Sequence, residues 1–207
     1  MQKLIQPMNH MLVGMGFKSP LYYQRGIVKT ASGVHMEHYG ADWWSATGDK
    51  VLWAMGDGVV LAAGRDSTFG NAVVIRYNEA FNHRTGVCHD VIVRCFHLAS
   101  IRVKPGDKVT KDTRVGVIGC TGKHCNGIHL HIEVSTDVDD PMGVPAIATT
   151  NMFHWVTKQT PHIQDPAAFV HTKISAPDNQ IVKSAGSWYR DRGRDGDFRF
   201  PKIKEVK

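Results

Sequence analysis

Two histidines are separated by a single residue in the segment NGIHLHIEV, residues 126–134. Side chains alternate across a β-strand, so His129, His131 and Glu133 are predicted to share one face, while the apolar residues between them face a core. Imidazoles on strands bind metals and transfer protons. The alternative for this segment, taken alone, is a half-buried strand whose polar residues face water.

Two upstream segments carry side chains of the same kind. HYGAD contains His38 and Asp42, and CFHLAS contains His97. Catalytic zinc is held by three protein ligands and keeps one position for water, and two histidines with one carboxylate form such a set. Residues four apart in a straight strand lie about 13 Å apart. The chain must therefore bend if His38 and Asp42 share one ion, and Gly40 is placed where a bend is easiest.

The elements that must position these side chains are short strands. KVLWA, VVLAA, NAVVIRY and VIVRCFHL read as strands separated by glycine-containing turns, and residues 78–90 are predicted to form a long hairpin loop. This pattern is typical of an antiparallel, mainly β domain without a long helix. Further on, DPAAFVH predicts a short helix with Asp165 as N-cap and Pro166 at its first position.

Composition narrows the classes of function. The chain has 207 residues, 42% of them hydrophobic, and a net charge of +6, which predicts one globular domain, with room for an appendage, and an anionic partner. No Lys/Arg stripe indicates nucleic-acid binding, and no apolar stretch is long enough to insert into a membrane.

The cysteines form no Cys-x-x-Cys pair, so thiolate-held zinc is not predicted. Cys88 and Cys95 either face each other across neighbouring strands or, more simply, are free buried thiols.

The order and spacing of these motifs resemble the lysostaphin-type (LytM-like) zinc endopeptidases, which cut peptide cross-links of bacterial peptidoglycan. The matching segments, from about residue 33 to 134, are HYGAD, MGDGVVLAAG, FGNAVVIRY, FHL, VKPGDKV, IGCTG and GIHLHIEV. The resemblance implies the antiparallel barrel-sandwich hybrid fold of that family, with short helical elements in the C-terminal part. It also implies one zinc ion held by His38, Asp42 and His131, with water in the fourth position, and catalytic roles for His97 and His129.

The resemblance leaves several points open. It does not say which of the two catalytic histidines is the base, nor whether a glycine bridge or a D-alanine–diamino acid bond is cut. Glu133 is expected to be a solvated strand residue or a partner of a ligand rather than a catalytic group. His35 and His124 are predicted not to be ligands.

The predicted organisation is a zinc endopeptidase domain over residues 1–174, with a motif-bearing core at 33–134 and a basic, mixed-charge tail or small appendage at 175–207. Peptidoglycan is the expected substrate, without nucleic acid. The N-terminal segment lacks the basic start and unbroken apolar core of a secretory signal. We therefore expect synthesis in the cytoplasm and action on the cell wall after release, as in a phage or prophage endolysin.

Three other classes of protein share part of this pattern. A cupin enzyme also has His-x-His on a strand, but it needs a downstream Glu and His and does not predict HYGAD. A lipoyl- or biotinyl-type carrier domain shares the VKPGDKV…VGVIG pattern and explains none of the histidines. The third alternative is a non-catalytic wall-binding or regulatory module of the same fold, which would be expected to lose zinc ligands.

Overall fold

The computed structural model describes residues 1–9, 11–18, 38–45, 47–123, 125–145, 151–156, 162–171, 183–184 and 187–190. Its strands are β1 Leu4–Ile5, β2 Met11–Met15, β3 Ala41–Ser45, β4 Val51–Trp53, β5 Gly58–Asp66, β6 Gly70–Asn82, β7 Val87–Leu98, β8 Ser100–Ile101, β9 Lys108–Val109, β10 Arg114–Val117, β11 Leu130–Ser135, β12 Gly143–Val144, β13 His154–Trp155, β14 Ile163–Gln164, β15 Val170–His171, β16 Lys183–Ser184 and β17 Ser187–Arg190.

The main sheet runs in the order β16-β17-β2-β3-β11-β7-β6-β5-β9, with β14 paired to β11. Its pairings are antiparallel, which confirms the predicted fold class. A smaller sheet of β4, β10 and β8 and two short parallel pairs, β1–β15 and β12–β13, complete the described architecture. In the described part of the chain, no helix is long and apolar enough to cross a membrane.

The helical candidate DPAAFVH forms a 3-10 turn over Pro166–Ala168. The Asp165 side chain caps it as predicted, by accepting a hydrogen bond from the backbone N–H of Ala167. Strand β15 begins two residues after the turn, so the helix does not continue.

The predicted long loop at 78–90 is wrong. Strands β6 and β7 extend into this range and leave only residues 83–86 as the turn. A bulge carries the polar residues without breaking the pairing. Glu79 adopts φ 51° there, and the Asp90 carboxylate accepts hydrogen bonds from the Glu79 N–H and from Arg76, each at 2.8 Å.

Both faces of the central strands are covered. The apolar side chains of β11 (Leu130, Ile132 and Val134) lie in the larger buried cluster, as their alternation predicted. A second cluster, which includes Phe69, Phe96 and Phe153, packs on the opposite side. Close packing against two apolar layers holds β11 rigidly, which is what a site of fixed geometry requires.

Cys88 and Cys95 do not face each other across neighbouring strands, because both lie on β7. Both are free thiols, as the simpler interpretation predicted, and Cys95 is buried, but Cys88 is exposed. Strand β17, from the predicted appendage, pairs with β2 and so continues the main sheet. Most of residues 175–207 lie outside the described residues, and the domain boundary at residue 174 stays a prediction.

Candidate metal centre and its flanking histidines

Strands β3 and β11 are neighbours, and their register places His131 directly opposite Asp42. His38 precedes β3, and the chain bends at Gly40 as predicted. A glycine is also required at this position because the backbone passes close to strand β11. A Cβ at Gly40 would lie 2.7 Å from Nε2 of His131 and 2.5 Å from the carbonyl oxygen of Ile132.

The three predicted ligands converge on one point, and together they form a group able to hold a metal ion. Nδ1 of His131 lies 2.8 Å from Oδ1 of Asp42 and 3.2 Å from Nε2 of His38. Nε2 of His38 lies 3.3 Å from the same Oδ1. Tetrahedral zinc with bonds of about 2.0–2.2 Å separates its ligand atoms by roughly 3.3–3.6 Å. The donor set therefore fits a zinc ion after a small outward adjustment.

The outer nitrogens of the two candidate ligand histidines also face oxygen atoms. Nδ1 of His38 lies 2.9 Å from the carbonyl oxygen of Gly16, so its N–H donates there and Nε2 is the nitrogen that faces Asp42 and His131. Nε2 of His131 lies 3.5 Å from Oε1 of Glu133. Such outer oxygens orient metal-binding imidazoles and fix their tautomers.

The electrostatics of the cluster follow from its single carboxylate. Burial raises the pKa of Asp42, but hydrogen bonds from His131 and His38 outweigh burial and hold that pKa well below its usual range. Burial lowers the pKa of His131, but contacts with Asp42 and Glu133 outweigh it and raise the pKa to about 9. Without an ion the cluster therefore retains a proton, which a bound cation replaces.

The two predicted catalytic histidines lie beside this cluster. His97 is near the end of β7 and His129 immediately precedes β11. Their ring centroids are 5.0 Å apart, and that of His97 is 6.1 Å from His131. Nε2 of His129 lies 3.7 Å from Oδ1 of Asp42. The structure thus brings all five sequence-predicted site residues together.

The segment between β10 and β11 orients both flanking rings in the same way. Nδ1 of His97 lies 2.9 Å from the carbonyl oxygen of Thr121, and Nδ1 of His129 lies 2.8 Å from that of Gly127. Each Nδ1–H donates to the main chain, so Nε2 of each ring remains available for proton transfer.

His97 has a backbone conformation that is unusual for a residue other than glycine. Its φ is 62°, in the left-handed region, and such conformations concentrate at functional sites. Burial, reinforced by the nearby His131, lowers the pKa of His97 to about 4. The ring is therefore neutral at pH 7.

Comparison with known proteins assigns the chain to a family. Residues 36–142, just over half of the chain, match Peptidase family M23. The chain belongs to peptidase family M23. The predicted relationship to the lysostaphin-type peptidases is thereby confirmed, and the M23 match contains all five clustered residues.

Two curated relatives each match about half of the chain. An uncharacterized metalloprotease of Buchnera aphidicola is 36% identical over 97 residues, which is 47% of this chain and 23% of that protein. The peptidoglycan DD-endopeptidase ShyA of Vibrio cholerae is 35% identical over 97 residues, 47% of this chain and 20% of ShyA. The matched stretch thus spans about a fifth of the length of these relatives.

Among solved structures, a chain of the SpoIIQ–SpoIIIAH pore-forming complex superposes with a TM-score of 0.56. The two are 17% identical, and the match covers 82% of this chain and 92% of the other. This similarity shows the shared fold.

Sequence reasoning missed two features next to the five clustered residues. A disulfide joins Cys120 to Cys125 in the segment that orients His97 and His129, and the Gly127 N–H lies 3.2 Å from Sγ of Cys120. Two cysteines five residues apart just before β11 were the available signal.

The second missed feature is Arg94, which is fully buried beside Glu133. An arginine inside the apolar run VIVRCFHL was its signal. Glu133 is 2% exposed and contacts His131. The expectation of a solvated strand residue is therefore wrong for Glu133, and that of a partner to a metal ligand stays a prediction. His35 and His124 lie outside the described residues.

Proposed function

We propose that the protein is a zinc-dependent endopeptidase that hydrolyses peptide cross-links or stem peptides of bacterial peptidoglycan. The observation that carries this proposal is the meeting of three donor atoms, from His38, Asp42 and His131, within 3.3 Å of one another. Membership of family M23 supports the peptidase activity. The name of ShyA supports the class of substrate.

Two nitrogens and one carboxylate oxygen form a donor set suited to zinc. When bound there, zinc would polarise a water molecule and lower its pKa from 15.7 toward about 7. His38 and Asp42, which flank the bend at Gly40, and His131 on the neighbouring strand would hold the ion.

The flanking histidines supply the proton transfers. With Nδ1–H of each ring bonded to a carbonyl oxygen, Nε2 accepts a proton or, once protonated, donates one to the leaving amine nitrogen. A protonated ring also stabilises the negative charge that develops on the carbonyl oxygen of the scissile bond. His97 begins as the neutral form because its pKa is about 4.

The setting of this activity belongs to the same proposal. The net charge of +6 favours contact with anionic wall polymers. We propose the cell wall as the place of action, reached after release from the producing cell.

The test is digestion of purified peptidoglycan of several cross-link types, followed by turbidity loss and by mass spectrometry of the released amines. Wild type is compared with His129→Ala, and zinc is quantified in both proteins. His89→Ala is the matched control, because His89 lies on β7 but contacts Phe169 instead of the site. We expect cleavage by wild type and the control, and a zinc-loaded but inactive His129→Ala.

A zinc-loaded wild type that cuts no wall type would contradict the proposed substrate. Absence of zinc from wild type would favour the non-catalytic module instead. That alternative needs a direct test because a fold alone does not determine activity.

A further inference from the structure

A buried ion pair lies directly behind one candidate metal ligand. Strand register places Glu133 of β11 opposite Arg94 of β7, on the same face of β11 as His131. The side chain of Arg94 is 0% exposed and that of Glu133 is 3% exposed. Removing two charges from water is costly unless both are well paired. The burial of this ion pair between apolar layers therefore needs an explanation.

The contacts of the pair form a continuous chain that ends at His131. Oε1 of Glu133 lies 3.5 Å from Nε2 of His131, and Oε2 lies 3.5 Å from Nη1 of Arg94. Arg94 is held in turn by main-chain oxygens, since Nε donates to Pro141 at 2.9 Å and Nη2 donates to Asp140 at 3.4 Å. Both carboxylate oxygens are therefore engaged, and the guanidinium is anchored to the segment that follows β11.

This arrangement determines which nitrogen of His131 is presented to the candidate metal centre. A carboxylate beside Nε2 retains the hydrogen on that nitrogen and leaves the Nδ1 lone pair directed at Asp42 and His38. Gly40 passes against the same edge of the ring, where an added Cβ would meet Nε2 at 2.7 Å. The ring is thus confined from two sides.

We propose that Glu133 and Arg94 are positioning residues that hold His131 as an Nδ1 ligand and thereby set the affinity of the site for zinc. The inference rests on the metal centre of the proposed function. Arg94 acts through Glu133, because within the described part of the chain its hydrogen bonds go to that carboxylate and to the main chain.

The test measures zinc affinity by competition with a chromogenic chelator at one fixed pH, with circular dichroism to verify folding. Glu133→Gln keeps the size of the side chain and is expected to weaken zinc binding by about 10–100-fold. Because this variant leaves the Arg94 charge buried, the double variant Glu133→Gln/Arg94→Met is measured too. It leaves neither charge in the interior and is expected to show the same weakening.

Ser135→Ala is the matched control. Ser135 lies two residues further along β11 and is fully buried, but its hydroxyl accepts from Asp137 N–H and lies apart from His131. We expect wild-type zinc affinity for this variant even if it is less stable. Affinities of Glu133→Gln and of the double variant within about twofold of wild type would overturn the proposal.

Peptidoglycan cleavage is assayed separately, so that the two proposals can fail independently. A wild type that cleaves while its zinc affinity is insensitive to Glu133 overturns this inference alone. A wild type whose zinc affinity depends on Glu133 but that cuts no wall type contradicts the proposed function and supports this inference.

Discussion

Two pairs of histidines in this molecule have nearly the same ring geometry. The rings of His38 and His131 are 4.9 Å apart at 71°, and those of His83 and His171 are 4.8 Å apart at 69°. Their electrostatics are opposite. The pKa of His131 is raised to about 9, whereas burial and the neighbouring His171 lower the pKa of His83 to about 4.

The difference lies in the carboxylates. Asp42 touches His131 directly, with 2.8 Å between Oδ1 and Nδ1. Asp165, near His83, is bonded at 2.7 Å to Arg84, whose positive charge itself lowers the pKa of His83. Ring contact alone therefore does not determine the pKa values of a histidine pair. A carboxylate directed at the imidazoles raises the pKa of His131, and removing it should make the two pairs alike.

The largest effect is expected from Asp42→Asn, which keeps the shape of the side chain and removes its charge. The variant replaces the charged oxygen donor with a neutral amide and should lose zinc, with hydrolysis of peptidoglycan falling by at least about 1,000-fold. Zinc content and released amines measure the two effects. Asp165→Asn is the control at the other pair and should keep both zinc and activity. Stoichiometric zinc in Asp42→Asn would contradict the proposed role of the Asp42 carboxylate in zinc binding.

His97→Ala separates the flanking histidines from the ligands. We expect zinc to be retained and turnover to fall by about 100–10,000-fold, because the ring transfers protons and does not hold the ion. The double variant with His129→Ala should be little worse than either single variant if the two rings act as one unit. Single-turnover rates and zinc content are the measurements, and loss of zinc from His97→Ala would count against this division of roles.

The His83 pair should make stability depend on pH. The pKa of His83 is about 4 in the folded protein, below the ordinary histidine value of 6.5, so the unfolded chain binds more protons between these values. The contribution is present above pH 6.5 and is lost as pH falls toward 4, by roughly 1–2 kcal/mol after allowance for solvent screening of this partly exposed ring. Urea unfolding with chelator present, at pH 7.5, 5.5 and 4.5, measures it. The difference between wild type and His83→Asn should shrink with acidification, and a constant difference would contradict the linkage.

Arg84→Gln is expected to have the smallest effect. Arg84 is partly exposed, and its ion pair with Asp165 contributes at most about 1 kcal/mol. Removing its charge should raise the pKa of His83, because that charge lowers it. A histidine titration followed by NMR measures the shift. A lowered His83 pKa would contradict this role of the Arg84 charge.

Much of the site could be predicted because its motifs are local. The alternation of HLHIEV correctly separated the apolar face of β11 from the face of His131 and Glu133, and the cap at Asp165 depends only on residues next to it. The hairpin at 78–90 was mispredicted because polar composition indicated a loop, whereas a bulge and the Asp90 side chain keep both strands paired.

The sequence alone therefore determined the chemical types, the strand alternation and the set of five residues at the candidate centre. Tertiary structure decided which atoms meet. His38 and His131 are 93 residues apart, and the Arg94–Glu133 pair spans 39. Both contacts depend on the register of β3, β11 and β7. A slip of one residue would move every side chain of a strand to the opposite face, and register is selected by the packing of the whole sheet.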